Sequence, residues 1–166
     1  MISKKVLILA AHPDDEVLGC GGTINYLVSK NCEIRVVFMA EGITARYDVS
    51  QFKDKKVVQE IEERNNNSLK ALGILGVKKD IHFLSNVCCR MDQISKIDIA
   101  KSIEKHIKSF KPNTILTHSP NDLNVDHVMT FEATLVATRP INNMFETIFS
   151  FEVLSSTEWN LEKPFN

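Results

Sequence analysis

Residues 9–23 read LAAHPDDEVLGCGGT, placing one imidazole, three consecutive carboxylates and three glycines directly behind an apolar run. Upstream, Val6-Leu7-Ile8-Leu9-Ala10-Ala11 is apolar without alternation, the pattern of a strand buried on both faces of a parallel sheet. Downstream, Val17, Leu18, Ile24, Leu27 and Val28 recur at helical spacing between Glu16 and Lys30, with Gly21 and Gly22 allowing close approach to the sheet. The quoted stretch is therefore a strand-to-helix junction. It lies at the carboxyl end of a first strand, the edge at which open α/β sheets bind ligands.

The acids in that junction need a cause. Asp14 or Asp15 can serve as a helix N-cap, with Glu16 favourable in the first turn against the helix dipole. One acid satisfies that requirement, however, and three in a row repel one another unless a cation sits among them. Pro13 fixes the turn between His12 and the acids, so a metal explains the cluster better than a cap does. A dinucleotide site explains the cluster less well still, since its pyrophosphate would meet carboxylates, and Cys20-Gly21-Gly22 falls inside the helix rather than in the turn before it.

Working outward, Glu33–Ala40 reads as a second strand, followed by an aperiodic loop from Ile43 to Lys55 at the same sheet edge. Arg46 in that loop is either a substrate contact or a solvated arginine. Lys56–Leu72 is an amphipathic helix with Val57, Ile61, Leu69 and Leu72 on one side; Glu60, Glu62, Glu63 and Arg64 form a solvated face, and Gly73 suits its C-terminal cap. Ile81–Ser85 is a third strand, with His82 partly exposed. In the loop Asn86–Asp92, Cys88-Cys89 is too strained a vicinal pair to assume a disulfide and too compact to hold zinc alone, while Arg90 and Asp92 line the site or pair with each other. Gln93–Phe110 is a helix ended by Pro112, with His106 at its surface. Asn113–His118 is a fourth buried strand. It delivers a second polar cluster, HSPNDLNVDH at 118–127, ahead of a helix Val128–Thr138 that Pro140 ends; Thr147–Val153 is a fifth strand.

The totals limit the partners. A chain of 166 residues is one domain by size, and 43% hydrophobic with 25% charged residues is ordinary for a globular protein. With 20 basic and 21 acidic side chains the net charge is −1, so no field draws nucleic acid or an anionic membrane, and a small neutral or zwitterionic substrate remains. Cys20, Cys32, Cys88 and Cys89 make no CxxC pair, and the apolar run in MISKKVLILAAH is too short for a signal peptide. Reduced thiols and a cytoplasmic protein without a membrane span are expected.

Alternating strand and helix signals predict an α/β fold, a Rossmann-like doubly wound and mostly parallel sheet flanked by helices. At its switch point the first and fourth strands are neighbours, which brings His12, Asp14 and Asp15 near Asp126 and His127. Two neutral imidazoles and one carboxylate are a common catalytic zinc set, and a second, free carboxylate can take a proton from water. The residues themselves reach only the pair Asp14 and Asp15, without choosing between them.

His12-Pro13-Asp14-Asp15-Glu16 with Gly19-Cys20-Gly21-Gly22, together with Asp122-Leu123-Asn124-Val125-Asp126-His127, resembles the PIG-L or LmbE-like family of zinc-dependent de-N-acetylases, from the first strand to about Trp159. Arg46 in GITARY and Arg90-Met91-Asp92 are similar to family positions, less distinctively. The resemblance implies that Zn2+ is held by His12, Asp15 and His127, that Asp14 is the general base, that Asp126 orients an imidazole, and that Arg46 touches substrate. It implies that an N-acetylglucosamine-type sugar or conjugate loses acetate. Many relatives carry a histidine where this chain has Asn124; Asn124 is then a substrate contact, and His118 either replaces the missing imidazole in catalysis or packs in the core. Relatives also continue past Pro164-Phe165-Asn166, so a shortened C-terminus is expected, with an apolar patch at Phe149, Phe151, Trp159 and Phe165 that favours a homo-oligomer. Two other readings remain: a metal-dependent amidase on another N-acyl compound, and a non-catalytic metal- or sugar-binding module.

Overall fold

The computed structural model describes residues 5–139, 147–154 and 156. Among them, β1 (Lys5–Ala10), α1 (Asp15–Ser29), β2 (Glu33–Ala40), α2 (Lys55–Ile74), β3 (Ile81–Asn86), α3 (Lys96–Phe110), β4 (Thr114–His118), α4 (Val125–Ala137) and β5 (Thr147–Phe151) alternate along the chain. The strands form one sheet in the order β3-β2-β1-β4-β5, with every pairing parallel. β1 thus lies between β2 and β4, and the two polar clusters leave the sheet side by side. This is the doubly wound topology that the alternation predicts.

Apolar runs without alternation follow from a sheet covered on both faces. Val6, Ile8 and Ala10 of β1 face the layer holding Ile24 and Leu27 of α1 and Leu72 of α2. Leu7 and Leu9 face the opposite layer, with Ile99, Ile103 and Ile107 of α3 and Ala133 of α4. Each of the valine, leucine and isoleucine side chains among these, when fully buried, contributes roughly 1.5–3 kcal/mol through removal of apolar surface from water.

Several boundaries differ from the sequence reading, each for a local reason. α4 starts at Val125 rather than Val128 because the Asn124 side chain caps it, accepting the Asp126 N–H at 2.9 Å. Asp126 and His127 are therefore in its first turn. α2 runs through Gly73 to Ile74, and the stop is Gly76 at φ 95°, where the Val77 N–H returns to the Leu72 carbonyl at 2.9 Å. α3 starts at Lys96, after a 3-10 turn at Met91–Gln93. The loop after β2 contains two more such turns, Thr44–Arg46 and Val49–Gln51.

On α2, Leu69 is exposed while Ser68 is buried and Arg64 half-buried, so the helix is rotated from the expected apolar face. At the sheet edge Phe149 is 57% exposed, whereas Phe151 is buried beside Gly19 and His118. A Cβ at Gly19 would meet the Phe151 ring at 2.4 Å, which is why glycine stands there. Pro140, Trp159 and Phe165 lie outside the described residues. Among the described residues, no helix is long and apolar enough to cross a membrane.

Candidate active site

The junction after β1 folds back on itself. The His12 N–H donates to Asp15 Oδ2 at 2.8 Å, and the Asp15 N–H donates to the His12 carbonyl at 3.2 Å, which locks the imidazole above the start of α1. Asp14 occupies the N-cap position at φ 148°, yet its side chain makes no capping hydrogen bond. The cap explanation for the acids therefore does not hold at Asp14. Its Oδ2 instead accepts from Arg64 Nη2 at 2.7 Å. Glu16, fully buried, accepts the Asp14 N–H at 2.9 Å and the Ser68 hydroxyl at 2.6 Å, so α2 holds the strained Asp14 peptide in place. Burial pushes the Glu16 carboxyl up to about 7.

The cluster at the start of α4 packs directly against this junction. His12 Nε2 meets Asp126 Oδ2 at 2.8 Å, and Asp126 also accepts the N–H groups of Cys89 at 2.5 Å and Met91 at 3.1 Å. His127 Nδ1 meets Asp122 Oδ2 at 3.0 Å, where the Ser156 hydroxyl also donates. Carboxylates thereby fix the far nitrogen of each ring, leaving His12 Nδ1 and His127 Nε2 toward Asp15 Oδ2 at 3.4 and 3.2 Å. Glu41 joins the surrounding loops, accepting from the N–H groups of Ile43, Thr44 and Cys88 and from the Thr44 hydroxyl.

The electrostatics favour positive charge beside Asp15. Burial raises the Asp15 carboxyl, but contacts to His12 and His127 outweigh it and hold the group well below the usual carboxylate range. Burial lowers both imidazoles, yet Asp126 and Asp15 lift His12 well above its ordinary value, and Asp122 and Asp15 lift His127 to about 9. Carboxylates that stabilise protons on two buried imidazoles equally favour a divalent metal in their place.

Three side-chain groups among the described residues could hold a metal: His12, Asp15 and His127; His12, Cys88 and Asp126; His118, Asp122 and His127. The first fits best. His127 Nε2 is buried without a hydrogen-bond partner, although it lies near Asp15. In the second group a metal would have to replace the His12 Nε2–Asp126 contact, and in the third the His127 Nδ1–Asp122 contact, whereas the first group leaves both in place.

A cleft of about 290 Å³ opens on His12, Asp14, Asp15 and His127, and Arg46 and Asn124 are on its wall. Arg46 is exposed there, with Nη1 3.3 Å from the Gly42 carbonyl. Asn124 spends its Oδ1 on the Asp126 N–H. His118 lies beneath the cleft, fully buried, stacked on His127 with ring centroids 3.9 Å apart, and burial pushes it down to about 3. Arg90 stands over the Phe52 ring at 5.6 Å. Arg64, Glu16, Asp122 and Glu41 take part in the site although the sequence reading gives them no catalytic, substrate or metal role. Glu16, the last acid of HPDDE, and Asp122, the first acid of DLNVDH, lie in the two motifs; Glu41 and Arg64 carry no such signal, one reading as the end of a strand and the other as a solvated arginine.

The comparisons with known proteins bear on the family and the fold. The PIG-L family model, described as GlcNAc-PI de-N-acetylase, matches residues 7–138. An uncharacterized deacetylase, YaiS, of Escherichia coli K12 is 29% identical over 143 residues, covering 83% of this chain and 70% of that one. The diacetylchitobiose deacetylase of Thermococcus kodakarensis is 28% identical over 117 residues, 70% of this chain and 41% of the relative. The solved N,N'-diacetylchitobiose deacetylase of Pyrococcus horikoshii superposes with a TM-score of 0.71 at 25% identity, covering 81% of this chain and 49% of that one. The match spans both polar clusters and the strands that carry them, and the chain belongs to the PIG-L family of GlcNAc-PI de-N-acetylases.

Proposed function

We propose that this chain is a zinc-dependent N-deacetylase, a single domain that removes acetyl from an N-acetylglucosamine-type sugar or conjugate. The observation that carries it is the convergence of His12 Nδ1, Asp15 Oδ2 and an unpartnered His127 Nε2 beside a carboxylate, Asp14, that has no capping duty. Membership of the family and similarity to two diacetylchitobiose deacetylases support the substrate class.

His12, Asp15 and His127 would hold the metal, a nitrogen-rich set with too few carboxylates for a hard-ion cage. Zinc bound there supplies positive charge that polarises the acyl carbonyl and brings the pKa of an adjacent water toward neutrality. Asp14 takes the water's proton at Oδ1, because Arg64 occupies Oδ2. The water oxygen bonds to the acyl carbon, the C–N bond breaks, and Asp14 returns the proton to the leaving nitrogen as acetate departs. Asn124, with Oδ1 engaged, offers its amide N–H groups to the acyl oxygen and has no proton to transfer. His118 accepts the Ala11 N–H and is held neutral, so its role is to support the His127 ring rather than to act as an acid. Arg46 at the cleft wall contacts the sugar or its conjugate. Four free thiols among the described residues support a reducing compartment such as the cytoplasm.

The decisive experiment measures zinc content and acetate release from a panel of N-acetylated sugars beside non-sugar N-acyl compounds. Equimolar zinc with release from the sugars is expected. Zinc without release from any compound supports a binding module instead, and release confined to the non-sugar panel supports a different amidase.

A further inference from the structure

Two thiols in the cleft wall take no part in the chemistry above. Cys88 is buried, with Sγ 3.5 Å from His12 Nε2 and 3.7 Å from Cys89 Sγ. His12 Nε2, Cys88 Sγ and an Asp126 oxygen lie within 4.8 Å of one another. Cys89 is exposed, so an ion can enter from the cleft mouth. Side chains of consecutive residues diverge in an extended chain. Here a left-handed backbone at Cys89, φ 56°, turns the two sulfurs together, and Glu41 and Asp126 hold that turn by accepting the N–H groups of Cys88 and Cys89.

We propose that Cys88, Cys89, Asp126 and His12 Nε2 form a second metal site, selective for soft divalent ions, whose occupation inhibits the enzyme. Two sulfurs, one nitrogen and one oxygen suit the tetrahedral coordination of cadmium or excess zinc and not that of magnesium or calcium. The proposal rests on the reading that His12, Asp15 and His127 hold the first metal, since inhibition follows from sharing His12. Filling the second site displaces the two thiol protons and the Nε2 hydrogen that Asp126 accepts, all to solvent. His12 thereby loses the contact that orients it, and two ions on opposite nitrogens of one ring repel each other. The second ion is therefore the weaker-bound and the inhibitory one.

The test titrates cadmium into the zinc-loaded protein, following thiolate-to-metal charge-transfer absorption, metal per chain and acetate release. Wild type should gain one cadmium above its zinc, with the thiolate band rising in proportion and acetate release falling at least tenfold at saturation. Cys88→Ser should show neither the band nor the second ion, and its own acetate release should be insensitive to cadmium. Cys32→Ser, which removes a thiol outside this cluster, should behave as wild type. A wild-type protein that takes no second ion, or a band that persists in Cys88→Ser, overturns the proposal and leaves the first site intact. A resident zinc lost in Cys88→Ser but retained in Asp15→Ala overturns the first-site assignment, and this proposal with it.

Discussion

Asp14 sits at φ 148°, a backbone region that residues with a Cβ rarely adopt and that costs on the order of 1–3 kcal/mol. Glu16 and Arg64 hold it there, one through the peptide N–H and one through the side chain. If Asp14 is the base and Asp15 a ligand, Asp14→Asn should retain its metal while losing on the order of 10²–10⁴ in turnover. Asp15→Ala should be metal-poor. Zinc content and acetate release on both variants decide this, and near-normal turnover in Asp14→Asn would overturn the mechanism. Arg64 makes a separate prediction. Burial and the Asp15 charge raise the Asp14 carboxyl, and the Arg64 guanidinium opposes them. Arg64→Met should therefore raise Asp14 further and move the acid limb of the kcat/KM profile to higher pH, with metal content unchanged. An unshifted limb would show that Arg64 does not tune the base.

The far edge of the sheet has its own charge cluster, remote from the cleft. His106 on α3 packs edge-on against His82 of β3 at 4.9 Å, while Arg35 bridges Asp80 and the His106 carbonyl. Burial, then His82 and Arg35, push His106 down to about 4, with Asp80 opposing. A histidine depressed in the folded state binds its proton more readily when unfolded. Its contribution is therefore present above about pH 6.5 and is lost as pH falls toward 4. After discounting for the half-exposed ring, the loss should be about 1 kcal/mol. Urea unfolding at pH 7 and pH 5 should show wild type losing about that much more than His106→Gln. Equal losses would show that the ring is not held neutral by its neighbours.

At the scale of the whole molecule, the proposed metal joins the end of β1 to the start of α4, elements more than a hundred residues apart in sequence. An ion that binds only the folded chain stabilises it by about 2.7 kcal/mol at a hundredfold excess over Kd. For a protein of this size that corresponds to a Tm change of roughly 5–10 °C. Thermal melts with and without a chelator should show that drop, and Asp15→Ala should melt at the lower temperature in both. A chelator-insensitive Tm in wild type would argue against a metal in this site.

What the sequence determined by itself is local in origin. The unalternating run of β1, the HPDDE junction and the DLNVDH turn each declare themselves within a few residues, because strand period, turn chemistry and ligand type are short-range properties. From them followed the parallel sheet, the adjacency of β1 and β4 and the set of candidate ligands. Only the tertiary structure decided which face of α2 turns inward. Periodicity favoured Leu69, but packing against α1 selects Ser68 and Arg64, which contact Glu16 and Asp14 about fifty residues away. Likewise Glu41 reaches Cys88, and Asp126 reaches both His12 and the Cys88–Met91 loop. The identity of a buried carboxylate's partner depends on how separate elements dock, and no spacing along the chain encodes it.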